Sequence, residues 1–117
     1  MLGSIIGDIA GSRFEWDNNK TKNFSLLTME CKFTDDTVMS IAICDALMNS
    51  KRDMSDLGEN AVKSMKAFGK KYPNAGYGGS FRKWITAENP QPYNSYGNGA
   101  AMRVSACGFV ANSIEEA

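Results

Sequence analysis

Apolar residues fall at helical spacing over most of the chain. Leu2, Ile5, Ile6, Ile9 and Phe14 form one stripe and predict a helix over 2–15. Residues 16–33 are polar and irregular, with Asn18-Asn19 marking a turn, and predict a loop. A second helix is expected from Thr34 to about Met48: Thr34 suits the N-cap, and Asp35 and Asp36 the first turn. Its body, Val38, Met39, Ile41, Ala42, Ile43, Ala46 and Leu47, is apolar nearly all round, which predicts a central, buried helix. A third helix opens near Asp53–Ser55, with Leu57, Ala61, Met65, Phe68 and Tyr72 inward and Lys63, Lys66, Lys70 and Lys71 outward, until Pro73 stops it. A glycine loop, Gly76-Tyr77-Gly78-Gly79, leads to a short helix carrying Phe81, Trp84 and Ile85, which Pro90 and Pro92 end. A polar loop over 93–99 then precedes a small-residue helix over about 100–112. No segment alternates as a strand does, so the pattern predicts an all-α domain, a multi-helix bundle.

Two features do not fit a plain bundle. Gly3, Gly7 and Gly11 recur every four residues on the first helix, although each glycine costs a helix about 1 kcal/mol relative to alanine. The spacing suggests that another backbone or a ligand approaches there. Ser113-Ile114-Glu115-Glu116 is a capping-box pattern that announces a further helix, and so suggests part of a longer design.

Composition narrows the chemistry. The chain has 117 residues, 43% hydrophobic and 22% charged, with 13 Lys+Arg against 13 Asp+Glu. Zero formal charge argues against a nucleic-acid or membrane-surface partner. There is no histidine, which removes Ser-His-Asp triads, Cys-His dyads and His-ligated metals. Catalysis is left to carboxylates, hydroxyls, amides or a hard cation. Cys31, Cys44 and Cys107 are far apart, with no CxxC, so zinc and a disulfide framework are not expected, and a reducing, cytoplasmic setting is. No apolar run reaches 18 residues, and the N-terminus, with Asp8 in its apolar stretch and no basic region, is not a secretory signal.

The densest polar cluster is Phe33-Thr34-Asp35-Asp36-Thr37. Two adjacent carboxylates flanked by hydroxyls suit magnesium, manganese or calcium. Acidic residues also favour any helix N-terminus, so both readings stand. Asp8 and Glu15, two helical turns apart, share a face as a candidate base pair or as a solvated stripe. The two glycine loops, one followed by Ala100-Ala101-Met102-Arg103, offer backbone amides to a diphosphate or simply turn corners. Gly97 and Gly99 permit a tight backbone path, and Asn98 tolerates left-handed geometry. Tyr77, Tyr93 and Tyr96 are candidates to stack on a base, or are packed.

Four motifs in order, Gly7-Asp8-Ile9-Ala10-Gly11-Ser12 with Glu15, Phe33 to Met39, Gly76 to Gly79, and Asn94 to Arg103, resemble the ADP-ribosylglycohydrolase family of the dinitrogenase-reductase-activating type. The resemblance implies an all-α fold with a dinuclear magnesium or manganese centre, and removal of ADP-ribose from modified side chains or related ADP-ribosyl compounds. It implies Thr34, Asp35 and Asp36 as metal ligands, Glu15 and Asp36 as catalytic carboxylates, and Asp8 in a supporting role. Gly78, Asn94, Ser95, Tyr96, Gly97, Asn98, Gly99 and Arg103 would contact the ADP-ribose. The family's second ligand set, an Asp-x-Asp-Thr motif, is absent, so the chain resembles an N-terminal half. Two functions follow as expectations. One is an ADP-ribosyl glycohydrolase, weak or inactive as these residues alone and complemented by a C-terminal half. The other is a truncated, non-catalytic ADP-ribose-binding or self-associating regulatory module.

Overall fold

A computed structural model describes residues 1–116. The order is α1 (Leu2–Gly11), a 3-10 turn (Ser12–Phe14), α2 (Asp35–Asn49), α3 (Leu57–Lys71), α4 (Gly79–Thr86), α5 (Gly99–Met102), a second 3-10 turn (Val104–Ala106) and α6 (Cys107–Val110). No strand occurs among the described residues, so the all-α expectation holds.

α2 is the central element. Val38, Met39, Ser40, Ala42, Ile43, Ala46 and Leu47 are buried, as a helix apolar on most sides demands. Val38, Met39 and Ala42 pack with Ala75, Tyr77 and Ile85 in one core cluster. Ile43 and Leu47 pack with Ala106 in a second. α3 is α2's main partner. At the buried crossing the Ser64 hydroxyl donates to Asp45 Oδ2 at 2.6 Å. Gly69 meets α4 so closely that a Cβ there would stand 2.7 Å from Ile85 Cδ1, hence a glycine in mid-helix.

Three local expectations are corrected. The small-residue helix over 100–112 is broken into α5, a 3-10 turn and α6, because Arg103 Nε donates to the Gly99 carbonyl, the acceptor that a continuing helix would offer Arg103's own N–H. No other backbone approaches the glycine stripe of α1: among the described residues, nothing beyond the helix's own neighbouring backbone lies within 4 Å of a Cβ placed at Gly3, Gly7 or Gly11. Asn98 has φ −80°, so it is not left-handed; among the described residues Met54 and Gly76 alone have positive φ. The 16–33 loop is tied down by Arg13, which donates to Thr28 Oγ1 and to the Ser25 carbonyl, and by the Phe14–Phe24 edge contact. The capping-box residues close a turn: Ser113 Oγ accepts from Glu116 N, while Glu116 Oε2 accepts from Asn112 N.

The apolar faces are incompletely covered. Accessible surface is 8474 Å², whereas a compact monomer of this mass would expose roughly 6,300 Å². The radius of gyration is 15.4 Å, against about 13 Å for a compact domain of this length. Leu2, Ile6, Met48, Phe109, Val110 and Ile114 are all exposed.

Candidate functional site

The site begins at the α1–α2 junction. Thr34 caps α2, its Oγ1 accepting from Asp36 N at 3.3 Å. Thr34 N donates to Asp8 Oδ2 at 2.8 Å, and Thr34 Oγ1 to Asp8 Oδ1 at 2.6 Å. Thr37 adds its N–H, at 3.2 Å, and its hydroxyl to the same Oδ2. One carboxylate from α1 thus satisfies donors at the start of α2 that the helix itself leaves free. Asp8 is therefore tied to α2 and is not part of a solvated stripe.

The acidic pair sits just beyond this clasp. Asp35 and Asp36 are half-buried. Burial first, then the Asp36 charge, with Glu15 and Asp8 adding to it, holds Asp35 above the ordinary carboxylate range. Burial and then Asp8 do the same to Asp36, against the Thr34 hydroxyl. The chain thus gathers negative charge with no ion pair to Asp35 or Asp36 among the described residues, the condition a cation relieves. The donor set, two carboxylates and a hydroxyl, fits a hard divalent ion in chemistry. It is a partial set: no group of three His, Cys, Asp or Glu side chains among the described residues is arranged to hold a metal.

Asp35 also belongs to a cavity of about 950 Å³ between α2, α3, the start of α4 and the 92–103 segment, a size common for small-molecule sites. Gly78, Asn94, Ser95, Gly97, Asn98, Gly99 and Arg103 line it with Asp35. α4 begins at Gly79 with no side-chain cap, leaving its first amides free beside this space. The glycine loop reaches the acids through Gly76, at φ +107°, where a Cβ would stand 3.3 Å from Asp35 Oδ1. Arg103 closes the far side, its guanidinium 4.9 Å from the Phe81 ring centroid and its Nη1 donating to Met65 Sδ at 2.8 Å. Burial holds the Arg103 pKa below its ordinary value, while Tyr93 and Asp35 act the other way.

Of the sequence-derived candidates, Thr34, Asp36, Glu15 and Tyr96 do not line the cavity. Thr34 donates its N–H and its hydroxyl hydrogen to Asp8, and Tyr96 is fully exposed. Glu15 is exposed at the edge, though its charge reaches Asp35. Of the aromatic wall, sequence reasoning named Tyr93 as a candidate but missed Phe81 and Trp84, which stack at 5.4 Å and line the cavity beside it. The available signal was that Phe81 and Trp84 fall within two turns of the glycine loop. A second cavity of about 570 Å³, bounded by residues such as Met1, Leu47, Met48 and Phe109, shares no residue with the first and has no acid.

This all-α chain, which sets paired aspartates at a helix start against glycine-rich turns, belongs to the ADP-ribosylglycohydrolase family, whose match spans residues 1–117. It is similar to the ADP-ribosylhydrolase ARH3 of Xenopus tropicalis, at 29% identity over 130 residues, covering 89% of this chain and 36% of that protein. The chain thus spans about a third of the length of this curated relative. No solved structure gives a significant match. Among the described residues, no helix is long and apolar enough to cross a membrane.

Proposed function

We propose that these residues form the portion of an ADP-ribosyl hydrolase that holds the ADP-ribosyl group and one side of a magnesium or manganese centre. The supporting observation is the double membership of Asp35, which stands both in the acidic cluster and on the wall of the cavity shaped by both glycine segments. Asp35 and Asp36, with the Thr34 oxygen, are the groups to hold the cation, further ligands coming from outside these residues. When bound, the cation orients ribose hydroxyls and offsets developing charge at the anomeric centre.

The chain's own groups supply the rest. The free amides at the start of α4 and the Ser95–Gly97 backbone hold diphosphate oxygens. Arg103 adds charge, and Phe81, Trp84 and Tyr93 form a surface for the adenine. Glu15, at the edge, takes the proton of the water that attacks the anomeric carbon as the bond from that carbon to the acceptor breaks, and the departing acceptor takes up a proton in exchange. A partial ligand set gives weak cation binding and negligible turnover for these residues by themselves. A non-catalytic, self-associating module is the second reading, favoured by the excess exposed surface.

Calorimetry with ADP-ribose, with and without Mn²⁺, tests the first reading. Binding of ADP-ribose that tightens with Mn²⁺ is expected. Absence of heat with either ligand removes it.

A further inference from the structure

Tyr77 is 4% exposed, yet its hydroxyl has no hydrogen-bond partner among the described residues. Unpaired buried polar groups are rare and call for a cause. The ring is fixed: it packs with Val38, Met39 and Ile85 in the core and edge-on to Phe81 at 5.7 Å. Val38 and Met39 lie one turn along α2 from Asp35. The preceding residue, Gly76, abuts Asp35 Oδ1. Asp35 is the charged group whose field reaches the phenol, and with burial as the larger cause it contributes to a pKa pushed up to about 12, so the proton stays on. On its side, the Asp35 carboxylate accepts no side-chain hydrogen bond among the described residues, and only its own backbone N–H favours its charged form. A donor without an acceptor and a carboxylate short of donors thus share one corner of the fold.

From this juxtaposition we infer that Tyr77 is a positioning residue for Asp35, its hydroxyl kept as the donor that orients the carboxylate when Asp35 takes up a divalent cation. The assignment rests on the cation reading given above. It explains why a tyrosine stands in a core position that phenylalanine would fill without an orphaned donor.

Mn²⁺ titration followed by electron paramagnetic resonance, together with urea unfolding of the metal-free protein, tests it on the 117-residue chain and on Tyr77→Phe. The expected result for Tyr77→Phe is Mn²⁺ affinity weaker by roughly three- to tenfold, the equivalent of one lost hydrogen bond, with the metal-free urea midpoint unchanged or raised. A purely structural hydroxyl would give the reverse, a lower midpoint and unchanged Mn²⁺ affinity, and that result overturns the assignment. Equal Mn²⁺ affinity in both proteins overturns it at any midpoint. If the parent chain binds no Mn²⁺, the cation reading itself fails and takes this assignment with it.

Discussion

Asp8 accepts both the N–H and the hydroxyl of Thr34, at 2.8 and 2.6 Å, across 26 residues of sequence. The first helix is thereby locked to the N-cap of the second, and the acidic pair that follows is held in a fixed place. Because Thr37 donates to the same carboxylate, the α2 terminus depends on one side chain of another helix.

Asp8→Ala should therefore be among the most damaging single changes. It leaves up to four part-buried donors without an acceptor, at a cost of about 3 kcal/mol or more. Urea unfolding followed by circular dichroism measures it. A loss below about 1 kcal/mol would mean that water replaces the carboxylate.

The raised Asp35 and Asp36 set the pH response. Between the ordinary carboxylate pKa and their raised folded values, the folded chain keeps protons that the unfolded chain has released. Their contribution thus falls as pH rises through that window, and the penalty is fully present above the raised folded values. Asp35→Asn should raise the Tm of the metal-free chain at pH 7.5 and narrow its difference from the parent at pH 4. Thermal melts at the two values decide it; a lower Tm at pH 7.5 would show that the charge is not a burden. The same substitution should abolish any stabilisation by Mn²⁺.

Two glycines are sterically required. Gly69→Ala drives a methyl against Ile85 at 2.7 Å and should cost about 1–3 kcal/mol through overpacking. Gly76→Ala adds strain from φ +107°, of order 1–3 kcal/mol, and crowds Asp35. Only the second should also weaken Mn²⁺ binding. Unfolding and metal titration of both variants separate the roles.

Arg103→Met removes the bond to Gly99, the contact with Met65 and the stacking over Phe81. A loss of about 1–2 kcal/mol is expected, together with faster amide exchange over 92–99 and weaker ADP-ribose binding. Hydrogen exchange by mass spectrometry checks the loop, and unchanged protection there would place the anchor elsewhere.

The excess surface predicts association. With exposed Leu2, Met48 and Phe109 and about a third more area than a compact monomer, the isolated chain should self-associate as concentration rises. Sedimentation velocity over a dilution series measures this; a single compact monomer throughout would refute it.

Periodicity with caps and prolines located α1 to α4 to within a few residues, because each carries an apolar stripe written in Leu, Ile, Val, Met and aromatic positions, although α1 leaves Leu2 and Ile6 of its stripe exposed. Thr34 was legible as a cap, since capping chemistry is local. The break at Arg103 was not, because it comes from a side chain competing with the backbone for one carbonyl. Nor was the fate of Asp8, whose donors lie 26 to 29 residues away. Sequence by itself determined that helices form, that hard oxygen donors gather at the start of α2, and which family the motifs resemble. Only the tertiary structure decided that Asp35 faces the glycine-lined cavity while Thr34 turns to Asp8, and that the Tyr77 hydroxyl is left without a partner among the described residues. Local spacing fixes backbone propensity, whereas the direction in which a polar group finds its acceptor depends on residues that meet only when the chain is folded.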